Sequence, residues 1–175
     1  MEYEIETAHG RLFCRREGSG PILLLIHGVA CDSEFFRETS KLLAEMFTVI
    51  SYDRRGYSRS IAAEGENDFS VWAHAEDAAE IIRLEQKRKA KEGQCPVEAG
   101  LQSDRCSADQ SNGNENQINE CRTGKSNGKA DQSTGVFVAG CSAGGAVAAA
   151  LATKHPELVR QVFLHEPLMR GSGEL

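Results

Sequence analysis

The chain has 175 residues, 40% of them hydrophobic and 26% charged, with a formal net charge of -6. That is enough for one domain with a sizeable core, and the acidic balance excludes a general nucleic-acid binder, which would carry a basic face. Residues 1–6 hold three acids and no basic or apolar leader, and the most apolar strand candidate, Ile22–Ile26, is far too short to cross a bilayer. A cytoplasmic protein without membrane contact is the expectation.

In chain order, residues 3–7 and 11–15 read as a hairpin around Ala8-His9-Gly10, and the cluster Glu17-Gly18-Ser19-Gly20-Pro21 reads as a turn. Ile22–Ile26 is apolar without alternation, the pattern of a strand buried on both faces of a parallel sheet. Ser33 is the expected N-cap of a helix running to about Met46, with Phe36, Ser40, Leu43 and Phe47 at helical spacing. Thr48–Tyr52 is a second buried strand and ends in Asp53; a loop to about Asp68 and a helix over 69–88 follow. Residues 136–140 form a third buried strand, 142–155 an alanine-rich helix closed by Pro156, and Val159–His165 a fourth buried strand. Strands alternating with helices predict a mostly parallel sheet flanked by helices.

Residues 89–134 break this pattern. They are rich in Ser, Asn, Gln, Gly and charge of both signs, and Asp109-Gln110-Ser111 is echoed by Asp131-Gln132-Ser133. Such a composition cannot bury enough apolar surface to offset its ordering entropy, so a disordered low-complexity insertion within one domain is expected. Three of the six cysteines, Cys95, Cys106 and Cys121, lie there; with Cys14, Cys31 and Cys141 they form no C-x-x-C pair. Free thiols are expected, with no metal site and no cofactor.

Chemistry is concentrated at Gly140-Cys141-Ser142-Ala143-Gly144, a G-x-S-x-G pattern led into by a strand and out of by a helix. Strand, tight turn and helix are the setting of a nucleophile elbow. Small residues are needed there because the serine sits in a strained turn. Gly145, Ala146, Ala148 and Ala149 let the following helix pack closely. The Ser142 hydroxyl then stands at a helix N-terminus, where backbone N–H groups favour developing negative charge. The alternative is a Gly/Ser turn that merely joins strand to helix.

Two upstream segments strengthen the first reading, and with them the chain resembles the α/β-hydrolase superfamily. Ile26-His27-Gly28-Val29 is similar to the family's His-Gly pair after its third strand, and Asp53-Arg54-Arg55-Gly56-Tyr57-Ser58-Arg59-Ser60 to its D-x-R-G-x-G-x-S loop, with Ser58 in place of the second glycine. Lys154-His155-Pro156-Glu157-Leu158-Val159 resembles the turn that leads into the family's sixth strand. The resemblance covers nearly all of the chain outside 89–134. It implies that Ser142 is the nucleophile, that Val29 and Ala143 donate backbone N–H groups to an oxyanion hole, and that His27 is structural. Loss of one such donor costs on the order of 10²–10³ in rate. A serine at the elbow also separates the chain from the epoxide-hydrolase and dehalogenase branches, which carry aspartate there.

A serine hydroxyl needs a base, usually a histidine oriented by a carboxylate. The family order is Ser, then Asp or Glu, then His, with the acid after the seventh strand and the histidine after the eighth. This sequence stops at Leu175, just past the counterpart of the sixth, so an incomplete domain over 1–175 is expected. Glu166 is the one candidate acid, although a turn carboxylate before Pro167 is the preferred reading. The histidines after Ser142 are His155, which closes the helix running away from the elbow, and His165 beside Glu166; His9 and His74 read as turn and helix residues. The base is left unassigned. An unfinished sheet edge invites pairing with another chain, so a complementing chain or a homo-oligomer is expected. Two functions follow: a cofactor-free serine hydrolase of ester, thioester or lactone substrates, with a C–C hydrolase or haloperoxidase-like enzyme left open, or a non-catalytic fragment, binding module or half of a split hydrolase.

Overall fold

A computed structural model describes residues 1–92 and 135–168. Strands β1 (Glu2–Thr7) and β2 (Gly10–Glu17) form the expected hairpin. They are followed by β3 (Ile22–Ile26), a 3-10 turn (Ser33–Phe36), α1 (Arg37–Leu43), β4 (Thr48–Tyr52), β5 (Ile61–Ala62) and α2 (Val71–Glu92). After the undescribed stretch come β6 (Val136–Cys141), α3 (Ala143–Lys154) and β7 (Val159–His165). The seven strands make one sheet in the order β1-β2-β4-β3-β6-β7, with β5 paired to β2. β3, β4, β6 and β7 run parallel, while β2 pairs antiparallel with β1, β4 and β5.

The strand period divides the core. Ile22, Leu24 and Ile26 turn to the face covered by α2 and α3, where they meet Ile50, Tyr52, Val138, Ile81, Ile82, Val147 and Leu151. Leu23 and Leu25 turn to the other face and pack with Phe36 and Val49. Helices on both faces explain why β3 and β4 are buried at every position, as an unalternating apolar run requires.

Several expectations need correction. The helix expected from Ser33 to Met46 is instead a 3-10 turn capped by Asp32, whose side chain accepts the Glu34 N–H, followed by a helix that stops at Leu43. Ser33 is occupied differently: its N–H donates to Asp53 Oδ1 and its hydroxyl accepts from Arg59. Ser142 is not the first helical residue but the non-helical one before α3. The strand expected to be buried at Val159–His165 forms, but Gln161, Phe163, Leu164 and His165 are exposed. Among the described residues β7 pairs only with β6, and only Val159 and Val162 pack against the core. Residues 89–92 of the expected insertion belong to α2; residues 93–134 lie outside the described residues.

A buried ion pair fastens the loop after β4 to α2. Arg55 Nε and Nη2 donate to Asp77 Oδ2 and Oδ1 at 3.0 and 2.7 Å, with both side chains 1% exposed. Removing Asp77 takes away the fully buried counter-ion and leaves Arg55 with the Glu66 carboxylate, 3.1 Å from Nη1. Asp77→Ala is therefore expected to destabilise the fold by about 3–5 kcal/mol, read as a lower urea midpoint at neutral pH; an unchanged midpoint would show the pair to be dispensable.

Candidate active site

Ser142 occupies the turn between β6 and α3 with φ 53° and ψ -122°. A non-glycine residue in that region costs on the order of 1–3 kcal/mol and persists only where its surroundings hold it. Here they do. The Ser142 N–H donates to the His165 carbonyl at 3.0 Å, and its own carbonyl accepts from Gly145 at 2.9 Å and Leu168 at 3.0 Å. The side chain is left out of this network: it makes no cap bond to α3 and bonds to no described residue. A hydroxyl is thus presented at the start of a helix whose first N–H groups have no intrahelical acceptor.

The helix can begin there because Gly144 has no side chain. A Cβ at that position would lie 2.1 Å from the Ile26 carbonyl oxygen and 2.6 Å from that of His27. This contact presses the first turn of α3 onto the end of β3 and brings the His-Gly segment to the serine. A Cβ on Gly28 would come within 3.1 Å of Ser142 Cβ and 3.6 Å of Ser142 Oγ. Val29 follows in an exposed turn, with Ala30 at φ 58°.

His27 holds this segment from beneath. It is fully buried, and its Nε2 accepts the Arg54 backbone N–H at 2.9 Å. Because that nitrogen accepts, the ring proton resides on Nδ1, which donates to the Gly28 carbonyl at 2.8 Å. Burial lowers the His27 pKa to about 4, the Gly28 bond opposing this and the Arg54 charge adding to it. His27 is a neutral structural group, as expected of it.

No histidine serves Ser142, and all five are described. His9 Nδ1 pairs with Glu66 at 2.7 Å, His74 lies against Asp77, and His155 Nε2 meets Glu76 at 3.0 Å. His165 Nδ1 lies 3.6 Å from Cys141 Sγ, on the adjacent strand. Glu166 follows β7 at φ 44°, exposed. The structure therefore brings Ser142, Ala143, Gly28 and Val29 together at the ends of β6 and β3 and, among the described residues, assembles no acid–base pair beside them. Among the described residues there is no cluster of three potential metal ligands and no helix long and apolar enough to cross a membrane.

The sequence reading missed Arg54. Its guanidinium is buried, donates from Nη2 to the Gly28 carbonyl at 2.9 Å and lies 4.3 Å from the centre of the Tyr57 ring. The signal was thin, because Arg54 occupies the unspecified position of the D-x-R-G loop.

Parallel sheet, flanking helices and strained serine turn together define an α/β-hydrolase scaffold, and residues 21–91 match the family model of the α/β hydrolase fold. The chain has the α/β-hydrolase fold. It is 43% identical over 65 residues to YraK, an uncharacterized hydrolase of Bacillus subtilis, a match covering 37% of this chain and 24% of that protein. It is 37% identical over 73 residues to a fluoroacetate dehalogenase of Burkholderia sp., covering 40% of this chain and 24% of the relative. The crystal structure of E-2-(acetamidomethylene)succinate hydrolase superposes with a TM-score of 0.61 at 22% identity, covering 93% of this chain and 42% of that one. The chain thus spans about a quarter of the curated relatives it matches and about two fifths of the solved structure.

The buried His27 ring sets a pH dependence of stability. Its pKa is about 4 in the fold, against about 6.5 in the unfolded chain. Between those values the unfolded state binds the extra proton, so stability falls as pH drops from about 6.5 to 4, by about 3 kcal/mol in all, and the effect is flat above that window. His27→Gln removes this component, so the stability gap between wild type and variant narrows on acidification. Urea midpoints at pH 7 and pH 4.5 measure it; parallel pH profiles would refute a neutral, buried His27.

Proposed function

We propose that this chain supplies the nucleophile and oxyanion hole of a serine hydrolase acting on a small ester, thioester or lactone. One observation carries the reading: Ser142 is held in a strained turn at the start of α3 with its hydroxyl free of any described partner and packed against Gly28. In the proposed reaction Ser142 Oγ attacks the acyl carbonyl and its proton passes to a base. The Val29 and Ala143 N–H groups stabilise the tetrahedral oxyanion; neither has an acceptor among the described residues. Collapse of the intermediate expels the alcohol or thiol, and water releases the acyl group. No cofactor is required.

The base is assigned to a histidine outside this sequence, on an adjoining segment or a complementing chain, because the ring of each of the five histidines here is engaged elsewhere. That same observation favours a second reading, a non-catalytic α/β-hydrolase-like binding module. A dehalogenase reading is disfavoured, despite the Burkholderia relative, by serine in place of aspartate at position 142.

Even without its base, an elbow with an intact oxyanion hole retains about 10³–10⁴ of rate enhancement over water. A fluorophosphonate probe is therefore expected to label the chain slowly but covalently, and labelling is expected to vanish in Ser142→Ala. Intact-mass spectrometry reads both. Equal labelling of wild type and Ser142→Ala, or none of either, would favour the binding module.

A further inference from the structure

Arg54 is an unusual group to find beneath an oxyanion hole. It is 3% exposed, and its guanidinium forms no ion pair among the described residues. The carboxylate next to it in sequence, Asp53, is committed elsewhere: Oδ1 accepts from the Ser33 N–H and Arg59 Nη2, and Oδ2 from the Arg59 N–H and Nε. Arg54 Nε is buried without a hydrogen-bond partner. The side chain spends its one described hydrogen bond, from Nη2, on the Gly28 carbonyl, with the Tyr57 ring beside it. A buried cation with no counter-ion is costly to keep. Its location indicates where an anion belongs.

That location acts through a peptide plane. The described chain contains no cis peptide, so the Gly28 C=O and the Val29 N–H point in opposite directions from one rigid unit. Two donors, His27 Nδ1 and Arg54 Nη2, grip the carbonyl from one side at 2.8 and 2.9 Å. The N–H is thereby turned away from them. Gly28 packs directly on Ser142, within reach of both Cβ and Oγ. A charged donor on the carbonyl also draws electron density out of the amide, which strengthens the N–H on the other end as a hydrogen-bond donor.

We propose that Arg54 is the positioning residue of the oxyanion hole: by gripping the Gly28 carbonyl with an unpaired charge it aims the Val29 N–H at Ser142 and makes it a stronger donor to negative charge formed there. The inference rests on the reading of Ser142 as nucleophile, yet it can be tested apart from it. His27 alone could hold the peptide; Arg54 adds the charge. It does so through the backbone, so it acts on any acyl substrate alike.

The test uses Arg54→Met, Arg54→Gln and Arg54→Lys in the full chain, with two readouts. The first is the second-order rate of fluorophosphonate labelling at Ser142. The second is the amide ¹H–¹⁵N resonance of Val29, which reports its own peptide whether or not Ser142 reacts. Arg54→Met is expected to slow labelling about tenfold, a fraction of the loss of a whole donor, and to move the Val29 resonance. Arg54→Gln, which keeps a neutral donor, is expected to hold the resonance closer to wild type while labelling stays slow. Arg54→Lys, which keeps the charge, is expected to recover most of the rate. If Arg54→Met does not fold, the contrast between Gln and Lys decides the same point. Wild-type labelling rates in Met or in Gln would overturn the proposal. If wild type does not label at all, the nucleophile reading fails instead, and the Val29 resonance alone then judges the positioning role: an unmoved resonance in Arg54→Met overturns it.

Discussion

The site depends on one close approach. The start of α3 lies so near the end of β3 that a single methyl group at position 144 would sit 2.1 Å from a backbone oxygen. Everything that gathers at Ser142 follows from it. The helix can start only if Ser142 takes a backbone conformation disfavoured for a side-chain-bearing residue, and that conformation is held by bonds to His165, Gly145 and Leu168. The same approach lays Gly28 against the serine. Strain at one residue is tolerated because three neighbours over-determine it.

A second layer lies under the first. Buried His27 and Arg54 and the half-buried Tyr57 form a stack in which ring, guanidinium and backbone each fix the next, and its output is the orientation of one carbonyl. A neutral imidazole suits this place because a charged one would lie beside an arginine that has no counter-ion among the described residues. The depressed His27 pKa and the unpaired Arg54 are two aspects of one arrangement: the fold keeps its positive charge on the group that cannot lose it.

The strands that frame the site were legible because burial on two faces leaves a plain mark. Ile22–Ile26 and Thr48–Tyr52 are found where their unbroken apolar runs put them. Ser142 was legible because a strained turn between strand and helix demands small neighbours in a fixed order. What was not legible depends on contacts distant in sequence. Ser33 looks like a helix cap, but its N–H is claimed by Asp53. Val159–His165 has the composition of a buried strand, whereas its exposure is decided by what lies beside it in the sheet. Arg54 stands among the arginines of a polar loop, and nothing in its local sequence says that it turns inward.

The two ends of the undescribed stretch meet at the far end of the sheet. Lys89 and Ala90 near the end of α2, and Gly135 and Val136 at the start of β6, line one cavity with Pro21 and Leu158. Ser142 lies at the opposite, C-terminal end of β6. A connection whose two ends are neighbours pays little to close, and lengthening it adds only about 0.6 kcal/mol per doubling. The fold thus has a socket at its base, where a change in the length of the connection is expected to leave the Ser142 end of the sheet in place.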